Sequence, residues 1–252
     1  MKIVSWNCNG ALRNKVEYLD ELDADVLVVQ ECENPCSSTA MFKDWAGKYF
    51  WVGDNKNRGL GIFARKGHDL GKLEWNGRFQ MPGISIQSSA TLWTSNELQS
   101  FLPCMVDNKH VLLGVWTKKV SKSPNFRYVG QLWKYMQIHK ADIAREEAIV
   151  CGDFNSNSIW DEMDRWWNHS DVVGEFAEIG YHSLYHSQEN EAHGAESQNT
   201  FYMYRHAEKG YHIDYVFLPK RRLRGSSVMF GDAAKWLQCS DHVPLIINMD
   251  VG

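Results

Sequence analysis

The sequence predicts an α/β fold in which two packed sheets are flanked by helices, and three observations carry that expectation. The chain opens strand, helix, strand: residues 2–6 read as a buried strand, residues 16–22 repeat apolar side chains at helical spacing, and residues 26–30 form a second strand on the apolar run 26–29, the pattern of a βαβ unit. Residues 48–118 instead carry short apolar or alternating runs broken by Gly, Asn and Pro, as in an antiparallel meander. Apolar runs then recur with helices between them, and no linker or low-complexity segment divides the 252 residues. One large domain over residues 1–252 follows, rather than two small ones.

The remaining elements follow in order. Runs at 50–52, 60–64, 83–86 and 111–116 supply strands of the meander. Residues 125–145 form the clearest helix, with Leu132, Tyr135, Met136, Ile138 and His139 as its inner stripe. Residues 148–151 read as a strand. A Ser- and Asn-rich loop leads into one helix or two over 161–179, and residues 189–199 are polar, contain Gly194, and read as an exposed loop. Strands at 199–204, 211–218, 224–230 and 242–249 complete the chain, whose halves share a rough plan.

Composition excludes some classes. With 44% hydrophobic and 23% charged residues, a sizeable core is available. A net charge of −4 argues against an extended basic surface while leaving room for a local cationic groove. The six cysteines lack the second pair that a zinc ribbon needs, so reduced, mostly buried thiols and a cytoplasmic setting are expected. No run approaches the roughly 20 apolar residues of a membrane span, and the amino terminus lacks a signal peptide's apolar stretch.

Polar clusters stand where strands should end: residues 5–10, Gln30-Glu31, Gly152-Asp153-Phe154-Asn155 and Ser240-Asp241-His242. Carboxylates at strand ends converge when the strands lie side by side, and converging carboxylates and amides bind hard cations such as Mg²⁺. A Mg²⁺ beside a histidine points to chemistry on phosphate. Asp153 and Asn155 alternate onto one side of the chain, where together they orient a water and accept its proton; an Asx-turn is the alternative. Gly152 permits close backbone approach. His242, preceded by Asp241, can be kept protonated and donate to a phosphate oxygen. Asp214 lies in an apolar, aromatic strand and is costly to bury without a partner; holding a histidine explains it.

The ordered series Trp6-Asn7-Cys8-Asn9-Gly10, Leu27-Val28-Val29-Gln30-Glu31, Gly152-Asp153-Phe154-Asn155-Ser156, Ile213-Asp214-Tyr215 and Ser240-Asp241-His242-Val243-Pro244-Leu245 resembles the endonuclease/exonuclease/phosphatase superfamily over nearly the whole chain. The resemblance implies a four-layer α-β-β-α sandwich with two packed mixed β-sheets. It also implies an Mg²⁺ or Mn²⁺ cofactor held by Glu31, with Asn7 nearby and Asp241 contributing, and catalysis by Asp153, Asn155, Asp214, Asp241 and His242. Substrate contacts are expected at Asn9, at Lys118 as a point charge for phosphate, and at Trp160, which follows the Asp153 motif closely.

The chain departs from the family's pattern at Trp116, where many members carry Tyr or His, and at residues 199–205, which match the apurinic-site nucleases poorly. Trp166 and Trp167 are candidates for either base stacking or core packing. Arg58, Arg65, Arg205 and Lys209 are candidates for a phosphate groove. His169, His182, His186, His206 and His212 show no spacing that demands a metal, although His212 would share the Asp214 face.

Together these readings indicate a divalent-metal-dependent phosphodiester hydrolase, a nuclease on DNA or RNA. The alternatives are a phosphatase or phosphodiesterase for a small phosphorylated molecule such as an inositol phosphate or nucleotide, and a non-catalytic binding module.

Overall fold

A computed structural model describes residues 1–119 and 126–250. The first half holds β1 (Lys2–Asn7), α1 (Val16–Asp20), β2 (Val26–Cys32), α2 (Ala40–Ala46), β3 (Tyr49–Asn55), β4 (Arg58–Ala64), β5 (Leu70–Lys72), β6 (Arg78–Gln80), β7 (Leu92–Thr94), β8 (Phe101–Val106) and β9 (His110–Trp116). The second half holds α3 (Val129–Arg145), β10 (Ile149–Asp153), α4 (His169–Glu178), β11 (Tyr181–Ser183), α5 (Leu184–Glu189), β12 (Phe201–Tyr202), β13 (Gly210–Tyr211), β14 (Asp214–Pro219), α6 (Lys220–Leu223), β15 (Ser226–Phe230), α7 (Ala233–Trp236) and β16 (Leu245–Met249).

Two six-stranded mixed sheets result, ordered β15-β16-β1-β2-β4-β3 and β11-β14-β10-β9-β8-β5. They share a plan. A parallel central pair, β1 with β2 in one and β10 with β9 in the other, is flanked by antiparallel strands. Strand alternation sorts the core into layers. Ile3, Val26, Val28, Ile62, Leu112, Ile149, Cys151 and Ile247 fill the space between the sheets. Val4, Trp6, Leu27 and Val29 point the other way, onto Leu19, Phe42 and Trp236. On the far side Leu113, Val115, Val150 and Phe217 meet Leu132, Met136 and Phe176 of α3 and α4. Each such fully buried side chain contributes about 1.5–3 kcal/mol relative to exposure, so both helical layers are fixed by burial. This is the α-β-β-α sandwich.

Several expected elements differ. The meander is split: β3 and β4 join the first sheet, whereas β5, β8 and β9 belong to the second. Residues 83–86 form no strand, and Ile84 and Ile86 are exposed. The helix expected over 161–179 is confined to α4, because Asn168 and Asp171 form a capping box and the Asp161 carboxylate takes the backbone N–H groups of His169 and Ser170. The helix expected from residue 125 begins at Val129, and residues 120–125 lie outside the described residues. Its expected stripe is buried at Leu132, Tyr135, Met136 and His139, while Ile138 is partly buried. α2 and α5 had no counterpart in the sequence reading. The six cysteines are free, and all but Cys36 are buried. No helix among the described residues is long and apolar enough to cross a membrane.

Candidate active site

Three backbone features place the polar strand ends. At Glu31 the pairing of β2 with β4 slips, from Gln30 opposite Leu60 to Cys32 opposite Gly59, and Glu31 takes a left-handed conformation (φ 61°). Such a bulge re-aims a side chain out of the strand's alternation. Gly152 has φ 147°, and a Cβ built there would lie 1.9 Å from the Val115 carbonyl oxygen; only glycine lets β10 approach β9 so closely. Just past β10, Asn155 is also left-handed (φ 46°), which turns the chain back over Asp153.

The side chains form one network across both sheets. The Asn7 amide, from β1, donates to Asp153 Oδ2 at 2.9 Å and, more distantly, to Glu31 Oε1 at 3.4 Å. Asp153 also accepts from Asn155 N at 2.7 Å and from Asn155 Nδ2 at 2.8 Å. His242 Nδ1 meets Asp214 Oδ2 at 2.9 Å. Ligand atoms of Asp153, Asp214 and His242 lie within 4.8 Å of one another. The strands hold this arrangement: Asp153 and Asp214 are register partners in the second sheet, while Ser240 Oγ donates to Asn7 O and Trp6 Nε1 donates to His242 O. His242 Nε2 has no partner among the described residues and is not sealed from solvent.

Burial and charge set the protonation states. Burial first, and the Asp214 charge second, push the Asp153 carboxyl up to about 8, against the pull of His242 and of the hydrogen bonds from Asn7 and Asn155. Burial alone would lower the His242 imidazole. The charge and hydrogen bond of Asp214, with Asp153 and Asp241 adding, outweigh it and raise the ring to about 9. At neutral pH His242 is therefore an imidazolium whose Nε2–H is free to donate.

The other candidates sort themselves around this centre. Asp241 is half-buried and adjacent, its carboxylate bonded to no described residue. Asn9, left-handed at φ 51°, gives its N–H to Asn7 Oδ1. Lys118 pairs with Asp54 and sits 4.8 Å from the centre of the Trp116 ring, so its charge is already engaged. Trp116 is buried at the end of β9, opposite Asp153. Trp160 is 44% exposed and lines a cleft of about 450 Å³ with Arg127, Tyr128, Asn155 and Arg165. Trp166 is exposed and Trp167 packs into the core. Arg65 stacks on Trp45, and Arg205 binds carbonyls of Gln238 and Cys239. His212 binds Gln198 O and packs on Tyr185, so it does not share Asp214's pairing with His242.

Three contributors carried no signal for these roles. Thr200 Oγ1 accepts from the N–H groups of both Ile213 and Asp214, Phe201 packs at 4.8 Å on His242, and Arg58 reaches Glu31 Oε2 at 3.1 Å. Only Arg58 was a candidate from sequence, for phosphate rather than for a carboxylate.

Comparison with known proteins gives the family and the fold. A sequence model described as the endonuclease/exonuclease/phosphatase family matches residues 4–242. No curated protein sequence matches the chain. Among solved structures, a 3′-5′ exonuclease from Neisseria meningitidis is 19% identical, with 99% of this chain and 100% of that chain covered and a TM-score of 0.66. An AP endonuclease from Archaeoglobus fulgidus is 18% identical, with both chains fully covered and a TM-score of 0.64. The endonuclease domain of the telomere-specific non-LTR retrotransposon TRAS1 is 14% identical, with 99% of this chain and 98% of that chain covered and a TM-score of 0.62.

Proposed function

Because the chain belongs to the endonuclease/exonuclease/phosphatase family, we propose that it is a divalent-metal-dependent nuclease that hydrolyses phosphodiesters of DNA or RNA. The observation that carries the nucleic-acid reading is the cleft that opens on Asn155. It offers two half-exposed aromatic rings, Trp160 and Tyr128, beside the guanidinium groups of Arg127 and of Arg165, the latter paired with Glu162 at 2.6 Å. Aromatic faces stack bases and guanidinium groups attract the backbone. The names of the three structures described above, an exonuclease, an AP endonuclease and an endonuclease domain, support the same reading.

The residues fit a hard cation. Glu31, Asn7 and Asp241 offer oxygen donors, and Asp241 has an uncommitted carboxylate. Asp153, wholly buried, receives hydrogen bonds only from neutral amide donors. Glu31, Asn7 and Asp241 would hold Mg²⁺ or Mn²⁺, which when bound polarises the phosphoryl oxygens and offsets the charge developing there.

The chain's own groups supply the rest. Asp153 and Asn155 position the attacking water, and the Asp153 carboxylate receives its proton. His242 donates from Nε2 to a phosphate oxygen as negative charge accumulates, and Asp214 keeps the ring charged and in orientation. Asn7 and Asn155 fix the Asp153 carboxylate in one pose, so little reorganisation accompanies attack.

The test is a substrate panel of single- and double-stranded DNA and RNA oligonucleotides with a small phosphomonoester set, in Mg²⁺, Mn²⁺ or EDTA. Cleavage of oligonucleotides that needs metal and is lost in His242→Ala supports the proposal. Turnover confined to inositol phosphates or nucleotides would replace nucleic acid with a small molecule as substrate.

A further inference from the structure

A second cluster of ligand-type side chains lies beside the active site and takes no part in it. His186 comes from α5, His193 and Glu196 from the segment between α5 and β12, His169 from the start of α4, and His212 from just before β14. One ligand atom from each of His186, His193 and Glu196 lies within 4.8 Å of the others. His186 Nε2 is 3.1 Å from Glu196 Oε1, and the His186 and His193 rings stack with centroids 3.6 Å apart.

Around these three stands a supporting set of the kind that orients metal ligands. Ser183 Oγ contacts His186 Nδ1 at 2.7 Å, which fixes that ring and turns Nε2 towards Glu196. His169 Nε2 contacts His193 Nδ1 at 2.9 Å. The Glu196 carboxylate is held by the Asn157 amide at 3.0 and 3.1 Å and by Gly194 N at 3.0 Å. Two ring nitrogens in the cluster, His169 Nδ1 and His212 Nε2, are buried with no partner, although their residues are only 1% and 3% exposed. A buried polar atom without a partner is costly, and here two of them occur in one group of imidazoles.

We propose that His186, His193 and Glu196 form a structural site for a borderline divalent transition metal, Zn²⁺ being the best fit, distinct from the hard-cation site at Glu31. Two imidazole nitrogens and one carboxylate oxygen are a donor set for Zn²⁺, Co²⁺ or Ni²⁺ and a poor one for Mg²⁺. The ion fastens the segment between α5 and β12, which has no regular structure of its own, to the rest of the fold. It also braces the catalytic loop, because Asn157 links Glu196 to the His212 carbonyl and the Tyr215 hydroxyl two residues beyond Asn155. Tyr215, the neighbour of Asp214, packs against His169 and His212 at about 5 Å.

The test uses the whole protein, stripped with a strong chelator, exchanged into chelator-free buffer and titrated with Co²⁺. Visible d–d absorption should saturate at one equivalent, bleach on adding Zn²⁺, and persist in millimolar Mg²⁺. Zn²⁺ should also raise the melting temperature. His193→Ala with Glu196→Gln should weaken Co²⁺ binding roughly 100-fold, whereas Glu31→Gln should leave the band intact. Absence of a Co²⁺ band in the wild-type protein overturns the proposal whether or not the variants fold. So does a band lost in Glu31→Gln and kept in the double variant. If nuclease activity is absent while the band behaves as expected, only the functional reading fails.

Discussion

His242 Nδ1 lies 2.9 Å from Asp214 Oδ2, with both side chains buried. The imidazole is thereby held protonated up to about pH 9, so in this phosphoric ester hydrolase a cation stands ready on the chain before any metal binds. Asp214→Asn keeps a hydrogen-bond acceptor and removes the charge. We expect kcat to fall ~10²- to 10⁴-fold and the alkaline limb of the pH–rate profile to move from near 9 towards 6.5. Stability changes with a matching sign. Because the folded pKa exceeds the unfolded value, the stabilisation is fully present below about 6.5 and is lost as pH rises through about 9. Urea midpoints measured from pH 6 to pH 10 should fall in the wild type, and fall less in the variant. An unmoved alkaline limb would show that another group titrates there.

Asp153 links protons to metal. Its carboxyl is raised to about 8 by burial and by Asp214, so without a cation it is largely protonated at neutral pH. A raised carboxyl also weakens the fold as pH climbs from about 4 to about 8, the penalty being complete above that. A nearby divalent ion favours the carboxylate and expels the proton. Mg²⁺ affinity should therefore rise by up to ~10-fold per pH unit below 8 and level off above it. Calorimetry in buffers of different ionisation enthalpy should detect proton release at pH 6.5 and little at pH 9. Asp153→Ala should bind Mg²⁺ without releasing that proton.

Gly152 tests the geometry on which Asp153 depends. A methyl group there would meet the Val115 carbonyl oxygen at 1.9 Å, and the backbone conformation (φ 147°) is strained for any other residue. Gly152→Ala must push β10 away from β9. A loss of ~3 kcal/mol is expected by chemical denaturation, together with loss of activity in the fraction that stays folded.

Much of this centre is legible in sequence, for a physical reason. Asp153 and His242 are polar residues at the ends of apolar runs and Asp214 lies inside one, and burial makes such residues rare without partners. The layered plan is equally legible, because helices and strands announce themselves by local periodicity. Whatever depends on non-local pairing is not. Nothing near residues 58–64 says that β4 joins β2 while β8 joins β9 and β9 joins β10. The bulge at Glu31, which brings that carboxylate within reach of Arg58, is a property of the pairing and not of either strand. The helix expected from residue 161 is cut to a start at His169 by the side chains of Asp161 and Asn168. His186, His193 and Glu196 lie within one short stretch of chain, but its polar composition reads as an exposed loop, and only the folded chain shows the three groups drawn together and partly buried.

Trp160 decides whether the cleft beside Asn155 reads bases. Its ring is 44% exposed and packs against Tyr211 at 5.1 Å, leaving a face open to the cleft. Stacking one base on such a ring is worth about 1–3 kcal/mol, which is ~5- to 150-fold in affinity. Trp160→Ala should raise KM for an oligonucleotide by a factor in that range and leave kcat near its wild-type value. Hydrolysis of a small aryl phosphodiester, which has no base to stack, should be unchanged. Equal loss on both substrates would mean that Trp160 supports the loop after Asp153, and base recognition would then have to lie elsewhere.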